Sequence, residues 1–465
     1  LNLLVLSAGA GGGVTFAMGG NLSDPDGDGR VYHDELRDNI ERGVTCTFDL
    51  HGQAFVELFA FVQIIGARFE YRSPRIELLD FELSDSDCYP DRFQNNDSMA
   101  TATNLGIAPG LHVEGLSLET AGDQDWYQFE LLRTDDVDIN VRHSHARGNL
   151  DLEIYDAAGQ LLGAGHTDQD GEIVRLQQLS AGLYFARVTG SGQLNNYKLV
   201  VEPGRNSRTR VIYVNGPSDH DPESGTIAWK EGRDGFDGLS PGQPKATLQS
   251  VFDTYDLGPD DLIRVETGVY AGMTSIGGED SGVTVVGSIV GSAIGSLALT
   301  QVHDLQFVQI SVTDGSPMEG RLGGMALVTL DRAHDNRFDR VGFHSAVMGV
   351  ELSDGSGNRF EQSLFTGAGD GILIVGASAA DNVLTNSTLQ NGGTAIRIDT
   401  AAYNLIESNV IAGVGLVGLD LAPSVRATVR DNDVSGQAIG LYTDSKTANV
   451  HSNWIHGNTV GVSSR

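Results

Sequence analysis

Asn336-Arg-Phe, Asn358-Arg-Phe, Asn382-Val-Leu, Asn404-Leu-Ile, Thr428-Val-Arg and Asn449-Val-His follow one another at steps of 22, 24, 22, 24 and 21 residues. Four or five residues beyond each of the last five starts comes a second polar position (Ser363, Asn386, Asn409, Asn432, Asn453). A glycine follows (Gly367, Gly392, Gly413, Gly436, Gly457), and then a run such as Gly371-Ile-Leu-Ile-Val375 or Ala395-Ile-Arg-Ile398. A unit this short, with no helical period, cannot bury an apolar face alone and must stack on copies of itself. The expected solution is a right-handed parallel β-helix with three short strands per coil and Val, Ile, Leu and Phe pointing inward. Each buried side chain would contribute about 1.5–3 kcal/mol before entropy. The recurrent Asn predicts a turn ladder, because its side chain tolerates left-handed backbone and can bond the Asn one coil along. A leucine-rich repeat has a similar length, but its regular L-x-x-L-x-L line is absent.

Working outward, the chain of 465 residues holds 60 Gly against 12 Pro, with aromatics at 7 %, a composition of many tight turns between short elements. The fold class predicted is all-β. Residues 1–90 read as a β-rich unit around one acidic loop. Residues 91–202 read as a β-sandwich, jelly-roll-like, with alternating runs Trp126–Leu131, Leu150–Tyr155 and Leu183–Val188. Residues 203–210 read as a linker and 211–465 as the β-helix. No run reaches the ~20 apolar residues of a membrane span. The longest, Ala54–Ile65, is broken by Glu57 and Gln63, and its Phe, Val and Ile content predicts a strand.

The formal charge is −32, and 42 of the 62 acidic residues are Asp. Such a surface repels phosphate backbones and anionic lipid, which argues against nucleic acid as a partner. It directs attention to hard cations. The segment Asp24-Pro-Asp-Gly-Asp-Gly-Arg-Val-Tyr-His-Asp-Glu35 places oxygen donors at loop positions 1, 3 and 5 (Asp24, Asp26, Asp28). Gly29 follows at 6, the Arg30 carbonyl at 7 and Glu35 at 12. It resembles an EF-hand calcium loop position by position, and Ca2+ is the predicted cofactor. Cys46 and Cys88 pair if the chain is secreted, closing a loop worth about 3–4 kcal/mol, and are two buried thiols if it is cytosolic.

Residues 211–270, with Val211-Ile-Tyr-Val214, Asp237–Leu248 and Asp261–Tyr270, resemble the opening segment of secreted pectate-lyase-like β-helix proteins. That resemblance implies a short helix at Thr247–Tyr255 capping the first coil and an early strand at Ile263–Glu266. Residues 91–202 resemble the bacterial pre-peptidase C-terminal (PPC) domain in Asp91–Gly106, Gly122–Phe129, Gly148–Asp156 and Ala181–Val188. This implies an exported, non-catalytic sandwich and places a possible second calcium site on Asn96, Asp97, Asp123 and Asp125. The family's usual Glu-Pro is Gln94-Asn95 here, which removes one carboxylate.

Catalytic candidates in the β-helix are sparse. His303-Asp304 and His334-Asp335 occupy matching coil positions, expected about 4.8 Å apart. A carboxylate pair for glycoside hydrolysis would come from Asp304, Asp335, Asp339 or Asp370. A lyase would draw its cation from Arg332 or Arg337. The motifs of polygalacturonase-like helices and alginate epimerases are absent, and turn-forming Asp and His in a solvated ladder account for these residues. The function expected is therefore a secreted, calcium-stabilised structural or adhesive protein of the bacterial cell surface or extracellular matrix. Leu1–Leu6 and Gly461–Arg465 carry no cap, which predicts further chain or docking onto other copies, as in a filament. Partners would be other copies, surface proteins or polysaccharide. The alternative is a polysaccharide lyase or glycoside hydrolase acting through the β-helix groove.

Overall fold

The computed structural model describes residues 6–22, 48–64, 67–72, 76–83, 93, 95–118, 123–143, 145, 148–190, 195–216, 227–228, 230–313, 326–345, 347–367 and 369–464. The described chain divides into two compact units. The first includes a four-stranded antiparallel sheet of β1 (Leu6–Leu22), β2 (Phe48–Ile64), β3 (Ala67–Arg72) and β4 (Ile76–Leu83). Strand β1 pairs with β2 over its whole length, from Leu6 opposite Ile64 to Leu22 opposite Phe48. The strand expected at Ala54–Ile65 is thus the greater part of β2. The calcium-loop residues Asp24, Asp26, Asp28, Arg30 and Glu35, and both Cys46 and Cys88, lie outside the described residues.

The second unit contains most of the sandwich and all of the β-helix. The sandwich strands are β5 (Thr103–Ala108), β6 (Leu111–Leu118), β7 (Gln124–Leu131), β8 (Asp135–His143), β9 (Leu150–Asp156), β10 (Leu161–Gly165), β11 (Glu172–Leu179), β12 (Gly182–Gly190) and β13 (Asn195–Pro203). They form sheets in the orders β10-β9-β12-β7-β5 and β11-β8-β13-β6. Alternation drives the layering: along β7, Tyr127, Phe129 and Leu131 are buried while Trp126, Gln128 and Glu130 are not. Along β9 the buried set is Leu150, Leu152 and Ile154.

After β14 (Arg210–Val214) the chain winds into three parallel sheets of ten, nine and nine strands. The helix implied by the sequence is present as α1 (Leu248–Thr254). Thr247 accepts its N-cap bond from the Ser250 amide, and Leu248, Val251 and Phe252 are buried in the β-helix core. Inside, equal residues stack on equal residues. Phe307, Phe338 and Phe360 lie in register with ring centroids 5.4 and 4.9 Å apart and planes within 5°. Phe343 and Phe365 form a second stack at 4.6 Å. Leu384 and Ile406 continue the first column and Leu389 and Ile411 the second. Stacking like shapes at the strand spacing keeps the inward side chains in contact from coil to coil.

The polar ladder runs as expected through Asn336, Asn358, Asn382 and Asn404, all buried. Asn336, Asn358 and Asn382 each donate the side-chain amide to the Oδ1 of the next Asn at 2.9–3.0 Å, and that same Oδ1 also accepts their backbone N–H. Two details differ from the sequence alignment. Asn404 is in register with Ala427, and Thr428 pairs with Leu405, because Tyr403 is an extra residue at φ 59° that shifts the register. In the second ladder the rung between Ser363 and Asn409 is held by Ser387, whereas Asn386 occupies the left-handed corner at φ 51°. That corner is left-handed in successive coils, at Gln309, Arg340, Gln362, Asn386, Ser408, Asp431 and Ser452.

The sandwich is clamped onto the outer face of the first coils. Ile107 and Leu132 pack on Val211, Tyr213, Leu262, Val286 and Val308. Arg264 is fully buried there, donates through Nη1 to the Ile107 carbonyl, and has its pKa brought down to about 10 by burial. Further along, Arg340 grips Glu130 with both Nη atoms, at 2.6 and 3.3 Å.

His112 sits in the same seam, with Nε2 3.2 Å from Tyr213 Oη and 3.5 Å from Glu202. Burial, then Arg142, Arg264 and Lys198, lowers its pKa from 6.5 to about 4. The unfolded chain therefore binds this proton more readily than the folded one. Stability is unaffected above pH 6.5 and falls progressively until about pH 4, by on the order of 3 kcal/mol. Comparing unfolding midpoints at pH 7 and 4.5 for the native chain and His112→Gln checks this: the acid-induced loss shrinks in the variant.

Candidate functional site

The two His-Asp candidate pairs fall on the corner between the third and first sheets. A parallel bridge joins His303 to His334, so the two His-Asp pairs do stack on adjacent coils. Asp304 and Asp335 are both left-handed, at φ 58° and 55°, a conformation Asp tolerates better than most residues. Asp335 Oδ1 crowds Gly357 on the next coil so closely that a Cβ there would lie 2.0 Å away. His303 Nδ1 is 2.9 Å from Asp304 Oδ2, and His334 Nδ1 is 2.9 Å from Ser356 Oγ.

The remaining candidates are engaged in holding the stack. Arg337 donates to Glu361 at 2.9 Å and lies 3.5 Å from Asp339, which is buried and also meets Arg340 at 3.3 Å. Arg332 pairs with Asp331. Asp370 accepts the Thr394 amide at 2.6 Å and begins a strand of the third sheet, away from the His-Asp corner. The geometry unites Asp304 with His303 and stacks them beside Asp335 and His334; it does not bring Asp370 or Arg337 to them.

The candidate calcium ligands of the sandwich are partly brought together. The Trp126 amide donates to the Asn96 carbonyl at 2.9 Å, so the first two PPC-like stretches meet, and Asp123 caps the Gln124 amide. Among the described residues, no three His, Cys, Asp or Glu side chains converge as a metal cage.

A feature not anticipated from the sequence is a cleft of about 360 Å³ between sandwich and β-helix. Its β-helix wall includes Thr284, Gln306 and the His303-Asp304 pair, and its sandwich wall includes Ile107 and Leu132. The rim pair is open to solvent, His303 at 59 % and Asp304 at 66 %. No sequence signal marks such a site, because its walls come from stretches far apart in the chain.

Residues 327–464 match the family described as "Right handed beta helix region", and residues 133–202 match "Secretion system C-terminal sorting domain". The right-handed β-helix read from the repeat is thereby borne out, and the sorting module marks an exported, cell-surface or extracellular protein. Among solved structures, the chain is similar to the pre-peptidase C-terminal domain of a collagenase from Bacillus anthracis. That match has 18 % identity and a TM-score of 0.19 and covers 22 % of this chain and 94 % of that one. It is also similar to the catalytic unit of a GH87 α-1,3-glucanase from Streptomyces thermodiastaticus, at 14 % identity and a TM-score of 0.35, covering 74 % and 68 %. No curated protein sequence matches. Among the described residues no helix is long and apolar enough to cross a membrane.

Proposed function

We propose that this exported protein is a non-catalytic structural or adhesive component of the cell surface or extracellular matrix, stabilised by calcium in its N-terminal unit. The observation that carries the reading is how the β-helix uses its polar residues. Asp304 and Asp335 form tight corners, Arg337, Asp339 and Glu361 form ion pairs along one face, and buried Asn side chains splice coil to coil. Polar groups spent on stiffness support a load-bearing or presenting role. A glycan-cleaving function is the second reading, favoured by the His303-Asp304 pair at the rim of the cleft.

Calcium is assigned to Asp24, Asp26, Asp28, the Arg30 carbonyl and Glu35, four carboxylates within twelve residues that repel one another without a cation. Calcium at a hundredfold excess over its Kd is expected to stabilise the intact chain by about 2.7 kcal/mol. Asp26→Ala or Glu35→Ala abolishes the shift, read as the unfolding midpoint with calcium or chelator. Saturable retention of the labelled intact chain on producing cells is the accompanying surface assay. A midpoint indifferent to calcium would remove the metal from the proposal, and absence of retention would remove the adhesive role.

A further inference from the structure

We infer that the cleft between the sandwich and the β-helix binds a single uncharged pyranose, such as the end residue of a neutral glycan. Its floor is one outward column of the first sheet, Leu262, Thr284 and Gln306, in register on successive coils. The Thr284 hydroxyl and the Gln306 amide make no hydrogen bond within the described chain. His303 holds Asp304 through Nδ1, which leaves Nε2 toward the rim as an acceptor and one Asp304 oxygen uncommitted. One wall thus offers a hydroxyl, an amide, a ring nitrogen and a carboxylate oxygen. Across the cleft lie the apolar Ile107, Leu131 and Leu132, the first two almost fully buried, together with Arg133 and Asp135. A pyranose has this division, with hydroxyls around its edge and C–H groups on its faces, and the volume is at the small end of ligand sites.

The charges select against an anionic sugar. Arg133, the one Arg or Lys of the lining, is already engaged: its Nη atoms donate to the Pro259 and Asp260 carbonyls and to Thr209 Oγ1. Thr209 in turn donates to Asp135. Asp304 remains as the exposed charge at the rim and repels uronate or phosphate, in a chain of net charge −32. This inference rests on the reading that the protein binds without turning over, but its test separates the two.

Ligand-observed saturation-transfer NMR on the intact chain, with neutral hexoses and disaccharides against glucuronate and a sugar phosphate, is the experiment. Neutral sugars are expected to bind in the millimolar range, about tenfold tighter than the anionic ones. His303→Ala and Gln306→Leu each weaken binding about fivefold or more with an unchanged unfolding midpoint, since neither side chain is bonded into the core. Leu132→Trp, which fills the cleft, abolishes it. Binding that ignores these variants, tighter binding of the anionic sugars, or no neutral-sugar signal at saturating millimolar concentrations overturns the site. Cleavage of a neutral glycan that disappears in Asp304→Asn would overturn the non-catalytic reading and leave the site standing.

Discussion

Asn358→Leu is expected to destabilise the β-helix by about 4 kcal/mol, although it replaces a polar side chain in the interior with an apolar one. Asn358 is fully buried and donates to the Ala333 carbonyl at 2.8 Å and to Asn382 Oδ1 at 3.0 Å. Its own Oδ1 receives both the backbone and the side-chain amide of Asn336. Leucine supplies none of these, and each buried group left without a partner costs about 1–3 kcal/mol. The control is Asn386→Gly, which changes an exposed Asn at a left-handed corner into the residue that corner suits best. Its effect is expected within about 0.5 kcal/mol of zero. Chemical denaturation of both variants checks the pair; equal losses would mean that the ladder register is wrong.

Phe338→Ala is the second large effect, expected at about 3–5 kcal/mol. Phe338 touches Phe307, Phe360 and Phe343 at ring separations of 5.4, 4.9 and 5.8 Å, so truncation opens a cavity against three rings at once. Phe338→Leu, by contrast, inserts what the same column already carries at Leu384, and is expected to cost about 1.5 kcal/mol or less. The ratio of the two losses, measured by denaturant midpoint, separates column packing from a general dependence on aromatic residues.

The coil repeat was legible because the residues that set it are large or chemically distinctive: Phe338 and Phe360 stand in the same inward column, and Asn336, Asn358, Asn382 and Asn404 each hold the same position in successive coils. Legibility failed where the pattern rested on a neighbour of equal polarity. Asn386 and Ser387 are adjacent, both polar, and only the backbone dihedral decides which turns inward. At Ala427 the ladder position carries no polar atom, so an alignment on polarity moves to Thr428 and misses the extra residue at Tyr403. The PPC-like strands were visible through alternation, as in Trp126–Leu131, but the clamp onto the β-helix was not. Glu130 and Arg340 lie 210 residues apart, and Arg264 reads as one cation in an apolar run until the sandwich covers it. For the site, the stacking of His303 on His334 followed from the period, whereas the cleft depended on that same docking.

Incubation of the intact exported chain with a panel of neutral and acidic polysaccharides, with calcium present, bears most directly on the role proposed. Reducing ends and unsaturated sugars would be measured over long times. The outcome predicted is no release above blank, indistinguishable between the native chain and a double Asp304→Asn, Asp335→Asn variant. Release that the double variant abolishes would show that the His-Asp corner does chemistry, and the protein would then be a polysaccharide-active enzyme.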